Sequence, residues 1–127
     1  MIRMSIPLSV VLICSALAGC SISGGDPGPV VYVAGYHFDA SNVAAYWTDD
    51  GTGISEVDLH AGTDSEATDI YVDAGGTVYV AGYYLNGLEY VAAYWVDDGA
   101  TVTEHKLHDS SDAQATGIFV GADGTVY

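Results

Sequence analysis

One phrase, Thr77-Val78-Tyr79-Val80-Ala81-Gly82-Tyr83, constrains this chain more than any other feature, because it recurs. Val30-Val31-Tyr32-Val33-Ala34-Gly35-Tyr36 is an earlier copy, and Thr125-Val126-Tyr127 opens a third. Other matches keep a constant offset of 48 residues. Ala44-Ala45-Tyr46-Trp47 returns as Ala92-Ala93-Tyr94-Trp95, and Asp49-Asp50-Gly51 as Asp97-Asp98-Gly99. Leu59-His60 returns as Leu107-His108, and Ala67-Thr68-x-Ile70 as Ala115-Thr116-x-Ile118. From Tyr32 to Tyr79 the offset is 47, and the second copy spends its extra residue in the turn at Asn86-Gly87. Self-similarity at this period, punctuated by glycine, is the pattern of a β-repeat array.

Each period predicts four short strands. Val30–Tyr36, Val43–Trp47, Ile54–Leu59 and Ala67–Val72 form the first set. Val78–Tyr84, Tyr90–Val96, Thr101–Leu107 and Ala115–Val120 form the second. Val, Ile, Tyr and Thr dominate these runs, as a pleated surface favours. Asp50-Gly51, Gly75-Gly76, Asn86-Gly87, Asp98-Gly99 and Asp123-Gly124 between them accept the positive φ of tight turns, so neighbouring strands should pair antiparallel. No window has a 3.6-residue period, so the fold class is all-β.

The faces narrow this further. Val78, Val80 and Gly82 share one side of their strand and Tyr79, Ala81 and Tyr83 the other, so both sides are apolar. A sheet with one wet side would alternate apolar with polar. Dry faces on both sides call for a sheet stacked between two others. Thr101–Leu107 alternates with polar residues and suits an outer edge.

Composition excludes several classes. Of 127 residues, 17 are acidic and only Arg3 and Lys106 are basic, a formal charge of −15. Such a field repels nucleic-acid phosphates and anionic lipid heads, so no nucleic acid is expected as a partner. Half the residues are apolar, including ten Tyr and two Trp, which argues for a folded chain. Both cysteines, Cys14 and Cys20, precede the repeats, so the repeats contain no disulfide or thiol chemistry.

Met1–Met4 carries the single charge of Arg3. An almost wholly apolar run from Ile6 to Leu17 follows, too short to span a membrane and suited to export. It ends in Leu17-Ala18-Gly19-Cys20. This segment resembles the signal peptide and lipobox of bacterial lipoproteins. The resemblance implies recognition of Leu17, Ala18 and Gly19 by signal peptidase, cleavage after Gly19, and lipidation of Cys20. Residues 1–19 are then a leader, and 20–29 a lipidated cysteine with a Gly/Pro/Ser tether. Two or three acyl chains hold a protein on a membrane durably where one does not. The expected location is outside the cytoplasm, on the cell membrane or outer membrane. Ser21, where an inner-membrane retention signal would place Asp, leans towards the outer surface.

Ala67–Val72, a Gly-rich turn, Val78–Gly82 and Ala92–Trp95 together resemble the inner, second and third strands of a β-propeller blade. Trp47 and Trp95 stand where WD-type blades end their third strand, although Thr48 and Val96 replace the Asp of that family and no Gly-His pair opens the repeat. The resemblance is therefore to bacterial propeller repeats in general, not to WD repeats proper. It implies four-stranded antiparallel blades, with repeats at 30–76 and 77–124 and the start of a third. Trp47, Trp95, Tyr46, Tyr94, Gly35 and Gly82 are its structural residues. Pairing of Ala115–Val120 with the incomplete first set would complete two blades. Two blades leave the ring incomplete, since propellers use about 4–8. Closure is expected from downstream blades of a longer protein, which the ending at Val126-Tyr127 favours, or from head-to-tail copies.

Phosphate-loop, zinc-helix, serine-elbow and calcium-hand motifs do not occur. Asp49, Asp50, Asp73, Asp97, Asp98 and Asp123 beside glycines admit Ca²⁺, but turn chemistry explains them without it, and no cofactor is expected. His60 and His108 recur after Leu, which points to a turn or capping hydrogen bond, whereas His37 and His105 are unrepeated and receive no role. The aromatic pairs are read as packing rather than a sugar platform. The expected function is a membrane-anchored binding or structural module without catalysis. The alternatives are a fragment of a larger propeller enzyme, a lyase or hydrolase on polysaccharide, or a fragment with no independent function.

Overall fold

Seven of the eight runs rich in Val, Ile, Tyr and Thr are strands in a computed structural model, which describes residues 28–108 and 111–127. They are β1 Val31–Asp39, β2 Ser41–Asp49, β3 Ile54–His60, β4 Ser65–Val72, β5 Val78–Asn86, β6 Glu89–Asp97 and β7 Val102–Lys106. Among the described residues there is no helix. Leu17, Ala18, Gly19 and Cys20 lie outside them, as does most of the tether.

Two antiparallel sheets result, neither closed on itself. β1-β2-β3 form one of three strands and β4-β5-β6-β7 one of four. Turn chemistry sets the connections: Gly51, Gly76, Gly87 and Gly99 all have positive φ. The one-residue difference between the repeats falls at the first hairpin. Asp39 pairs Ser41 around Ala40 alone, at φ 61°, whereas Asn86 pairs Glu89 around Gly87-Leu88. Alanine takes the left-handed region at a cost, which glycine avoids.

Ala115–Val120 departs from expectation. It is not a strand and does not join the first sheet. Only Val120 forms a bridge, to Val126. The segment lies along the second sheet instead, with Ala115 N–H donating to the Gly82 carbonyl and Ile118 N–H to Asp69 Oδ2. The reason is connectivity. The segment follows β7 of the second sheet and is held on that same sheet by bonds to Gly82, Thr68 and Asp69. The sheet boundary also falls between β3 and β4, at 61–64, whereas the sequence repeat divides at 76/77.

The sheets stack face to face, with β4 packed on β1 and β2. Ala34, Ala44, Tyr46 and Leu59 from the first sheet meet Ile70, Val78, Val80 and Trp95 from the second. Ser65, fully buried, ties the two backbones. Its Oγ accepts from Ala44 N–H at 2.8 Å and donates to the His60 carbonyl at 2.9 Å. No buried side-chain polar atom among the described residues lacks a partner, as a dry interface requires.

Within the second sheet, Gly82 allows β4 and the Trp95 ring to close on β5. A Cβ there would collide with the Glu66 carbonyl oxygen and fall 2.9 Å from the Trp95 ring, which is completely buried. At Gly35 the corresponding Cβ would lie 3.2 Å from the half-exposed Trp47 ring, which has room to move. Gly82→Ala should therefore cost about 2 kcal/mol or more through overpacking, and Gly35→Ala distinctly less. Urea unfolding of both variants, followed by Trp fluorescence, measures the difference.

Candidate functional site

Strand alternation separates the six residues that define the repeat. On β2, Tyr46 points into the junction and Trp47 away from it. On β6, Trp95 points in and Tyr94 away. Each sheet thus has a Trp/Gly face and a Tyr/Ala face, and the Trp/Gly face of the second covers the Tyr/Ala face of the first. Gly82, Trp95 and Tyr46 are brought together. Gly35 and Trp47 sit on one outer face, and Tyr94 lies on the other, stacked on His105 at 4.5 Å.

Polar bonds staple the rim of the junction. Tyr46 Oη donates to Asp97 Oδ2 at 2.5 Å, and burial first, then this bond, holds the phenol well above its usual pKa. His60 stacks on Tyr84 with centroids 4.2 Å apart, and its Nδ1 lies 2.7 Å from Glu104 Oε2. The same carboxylate oxygen accepts from Trp95 Nε1 at 3.1 Å. Glu104 thus joins an indole of its own sheet to an imidazole of the neighbouring one.

These contacts recur at the offset of the sequence. Trp47 Nε1 donates to Glu56 as Trp95 does to Glu104. Asn42 N–H donates to Asp64 at 2.9 Å, and Tyr90 N–H to Asp112 at 2.8 Å. His60 Nε2 meets the Thr63 hydroxyl at 3.2 Å, and His108 Nε2 that of Ser111 at 3.0 Å, the turn bonds that their spacing predicts. Asp73 N–H donates to the Thr77 carbonyl as Gly121 N–H does to that of Thr125. Residues 111–127 therefore sit on the second sheet as β4 and its turn sit on the first.

The turn aspartates bind their own loops. Asp50 Oδ1 accepts from the Thr52 hydroxyl and the Thr52 and Gly53 amides; Asp98 Oδ1 accepts from the Ala100 and Thr101 amides. Asp49 and Asp97 accept from Gly51 and Gly99 amides, Asp73 from Gly75 and Thr77, and Asp123 from Thr125. Bonds from Thr52, Thr101 and Thr125 hold Asp50, Asp98 and Asp123 below their ordinary pKa. Their oxygens serve as turn acceptors, the role that an Asx turn assigns them.

One group of ligand atoms converges among the described residues. His37 on β1 and Glu56 and Asp58 on β3 bring theirs within 4.8 Å of one another on the outer Trp/Gly face of the first sheet. Sequence reasoning passed over His37 because it is unrepeated. That was the available signal: the matching second-repeat positions are Tyr84 for His37 and Lys106 for Asp58, while Glu56 keeps its counterpart in Glu104.

A carboxylate whose folded pKa is depressed stabilises the fold above its unfolded value. That contribution disappears as pH falls below 3.8 through the depressed value. The unfolding midpoint in urea should accordingly drop as pH falls below 3.8. Asp98→Asn, which keeps the acceptor and removes the charge, should flatten its share of that acid limb.

Three comparisons place no known protein beside this geometry: no protein-family model, no curated protein and no solved structure matches the chain.

Proposed function

We propose that this chain is a lipid-anchored, extracytoplasmic β-repeat module whose work is binding or scaffolding rather than catalysis. One observation carries the reading. The two outer faces of the pair, Trp47/Gly35 on one side and Tyr94/Ala81 on the other, are the two halves of the contact made inside it. In this reading each sheet is a propeller-type blade, β4 is the inner strand of the second, and residues 111–127 begin a third. Antiparallel pairing in chain order, polar β7 at the outside, and the 48-residue recurrence of junction bonds support it. A further blade of the same kind, in a second copy or a longer chain, fits the Trp47/Gly35 face head to tail, and residues 111–127 already begin one on the Tyr94/Ala81 face.

Repetition also favours a binding or structural role over an enzyme. The polar side chains that recur bond to turns and to the neighbouring sheet, and Tyr46 and Trp95 are buried in the core. The anchor rests on Leu17-Ala18-Gly19-Cys20 and on the acidic body, which would stand off an anionic membrane.

Metabolic labelling in a bacterial host tests the anchor. The chain should take up radiolabelled palmitate and float with membranes, and Cys20→Ala should abolish both; a soluble, unlabelled parent chain would sink the idea. Light scattering of the purified chain tests the stacking. A discrete oligomer is expected, and a stable monomer at all concentrations would show that the faces need no cover.

A further inference from the structure

The outer face of the first sheet carries a feature that the repeat does not require. His37 Nε2 lies 2.9 Å from Asp58 Oδ1 and 3.8 Å from Glu56 Oε1. In its neutral form this ring nitrogen carries at most one proton, so it cannot donate to both carboxylates. Two negative charges thus face one imidazole on a surface whose overall charge is already strongly negative. We propose that His37, Glu56 and Asp58 form a binding site for a first-row divalent transition metal of the Zn²⁺ type, with the ion taking the place of the shared proton.

Four features of the geometry support this assignment. All three ligands stand on paired strands, with Glu56 beside Trp47 and Asp58 beside Ala45 across β2, so the framework is rigid. Glu56 is oriented by a neighbour: its Oε2 accepts from Trp47 Nε1 at 2.5 Å, leaving Oε1 turned towards His37. Outer bonds of this kind hold carboxylate ligands in metal sites. Ligands about 2 Å from one Zn²⁺ lie roughly 3.3 Å from each other. The present spread of 4.8 Å or less closes with small rotations of Glu56 and Asp58, both exposed enough to move.

The repeat supplies the fourth argument. In the second sheet Glu104 keeps its Trp bond, but Tyr84 and Lys106 stand in place of His37 and Asp58, and the His60 imidazole fills the space against Glu104. The fold is therefore satisfied without the His–Asp pair. In the first sheet the same place opens outward and carries one imidazole and two carboxylates. That mixed nitrogen and oxygen set suits Zn²⁺ and its neighbours, whereas Ca²⁺ and Mg²⁺ take all-oxygen shells. Three protein ligands leave a position for water or for a group from a partner.

Isothermal titration of Zn²⁺ into the full-length chain in detergent, with Co²⁺ absorption as a second readout, tests the site. One saturable equivalent should bind in the presence of excess Ca²⁺, and Co²⁺ should give the intense visible bands of a low-coordinate nitrogen/oxygen site. His37→Ala and Asp58→Asn, checked for folding by circular dichroism, should each weaken binding at least about tenfold. His108→Ala, on the opposite side of the molecule from this face, should bind like the parent. Absence of saturable binding, displacement by Ca²⁺, or parental affinity in folded His37→Ala would each overturn the proposal, showing that the acidic surface alone attracts the ion.

Discussion

The dry contact between the two sheets is the interaction on which the rest depends. Each sheet carries apolar residues on both sides and must bury a face against another layer. Ile70, Val80, Ala93 and Trp95 are excluded from solvent because Ala34, Ala44 and Tyr46 lie over them. Glycine at 82 lets β4 and the Trp95 ring close tightly over β5 within the second sheet, since any side chain there would meet the Glu66 backbone and the Trp95 ring. Ser65 then satisfies the backbone groups that the close approach removes from water.

From that contact follows a polarity along the stack. Each sheet offers a Trp/Gly face in one direction and a Tyr/Ala face in the other, so stacking has a sense and runs head to tail. The rim bonds have the same sense: His60 reaches forward to Glu104, and Asp64 reaches back to Asn42. Residues 111–127 continue the series, with Asp112 on Tyr90 and the Val120–Val126 bridge matching the Val72–Val78 pair. Differences between repeats acquire meaning against this background. Where the structure would be met by Tyr and Lys, as at positions 84 and 106, His37 and Asp58 mark a local departure with its own chemistry.

The all-β class, the antiparallel pairing and seven of the eight expected strands could be read from residues alone. β-branched and aromatic runs bounded by Asp-Gly, Gly-Gly and Asn-Gly leave little else possible. The turn bonds of the aspartates and of His60 and His108 were also legible, because those bonds reach only a few positions, whereas the contacts of His60 with Glu104 and Tyr84 and of Asp97 with Tyr46 were not. Ala115–Val120 was misread, since a strand needs a partner edge and sequence does not say which edge is within reach. His37 was missed for a related reason. Its neighbours, Glu56 and Asp58, lie about twenty residues away and meet it only across β2.

Sequence by itself determined the period, the strands, the turns and the both-sided apolar character, all properties of local order and alternation. The lipobox proposed at Leu17-Ala18-Gly19-Cys20 is likewise read from linear order, because such a signal needs no fold. Tertiary structure alone decided which face of each sheet meets the other, because alternation defines two faces without ranking them. It decided too that Trp95 is buried and Trp47 half-exposed, although the two occupy the same place in the repeat. The physical reason is position in the stack: one tryptophan has a sheet in front of it, and the other faces outward.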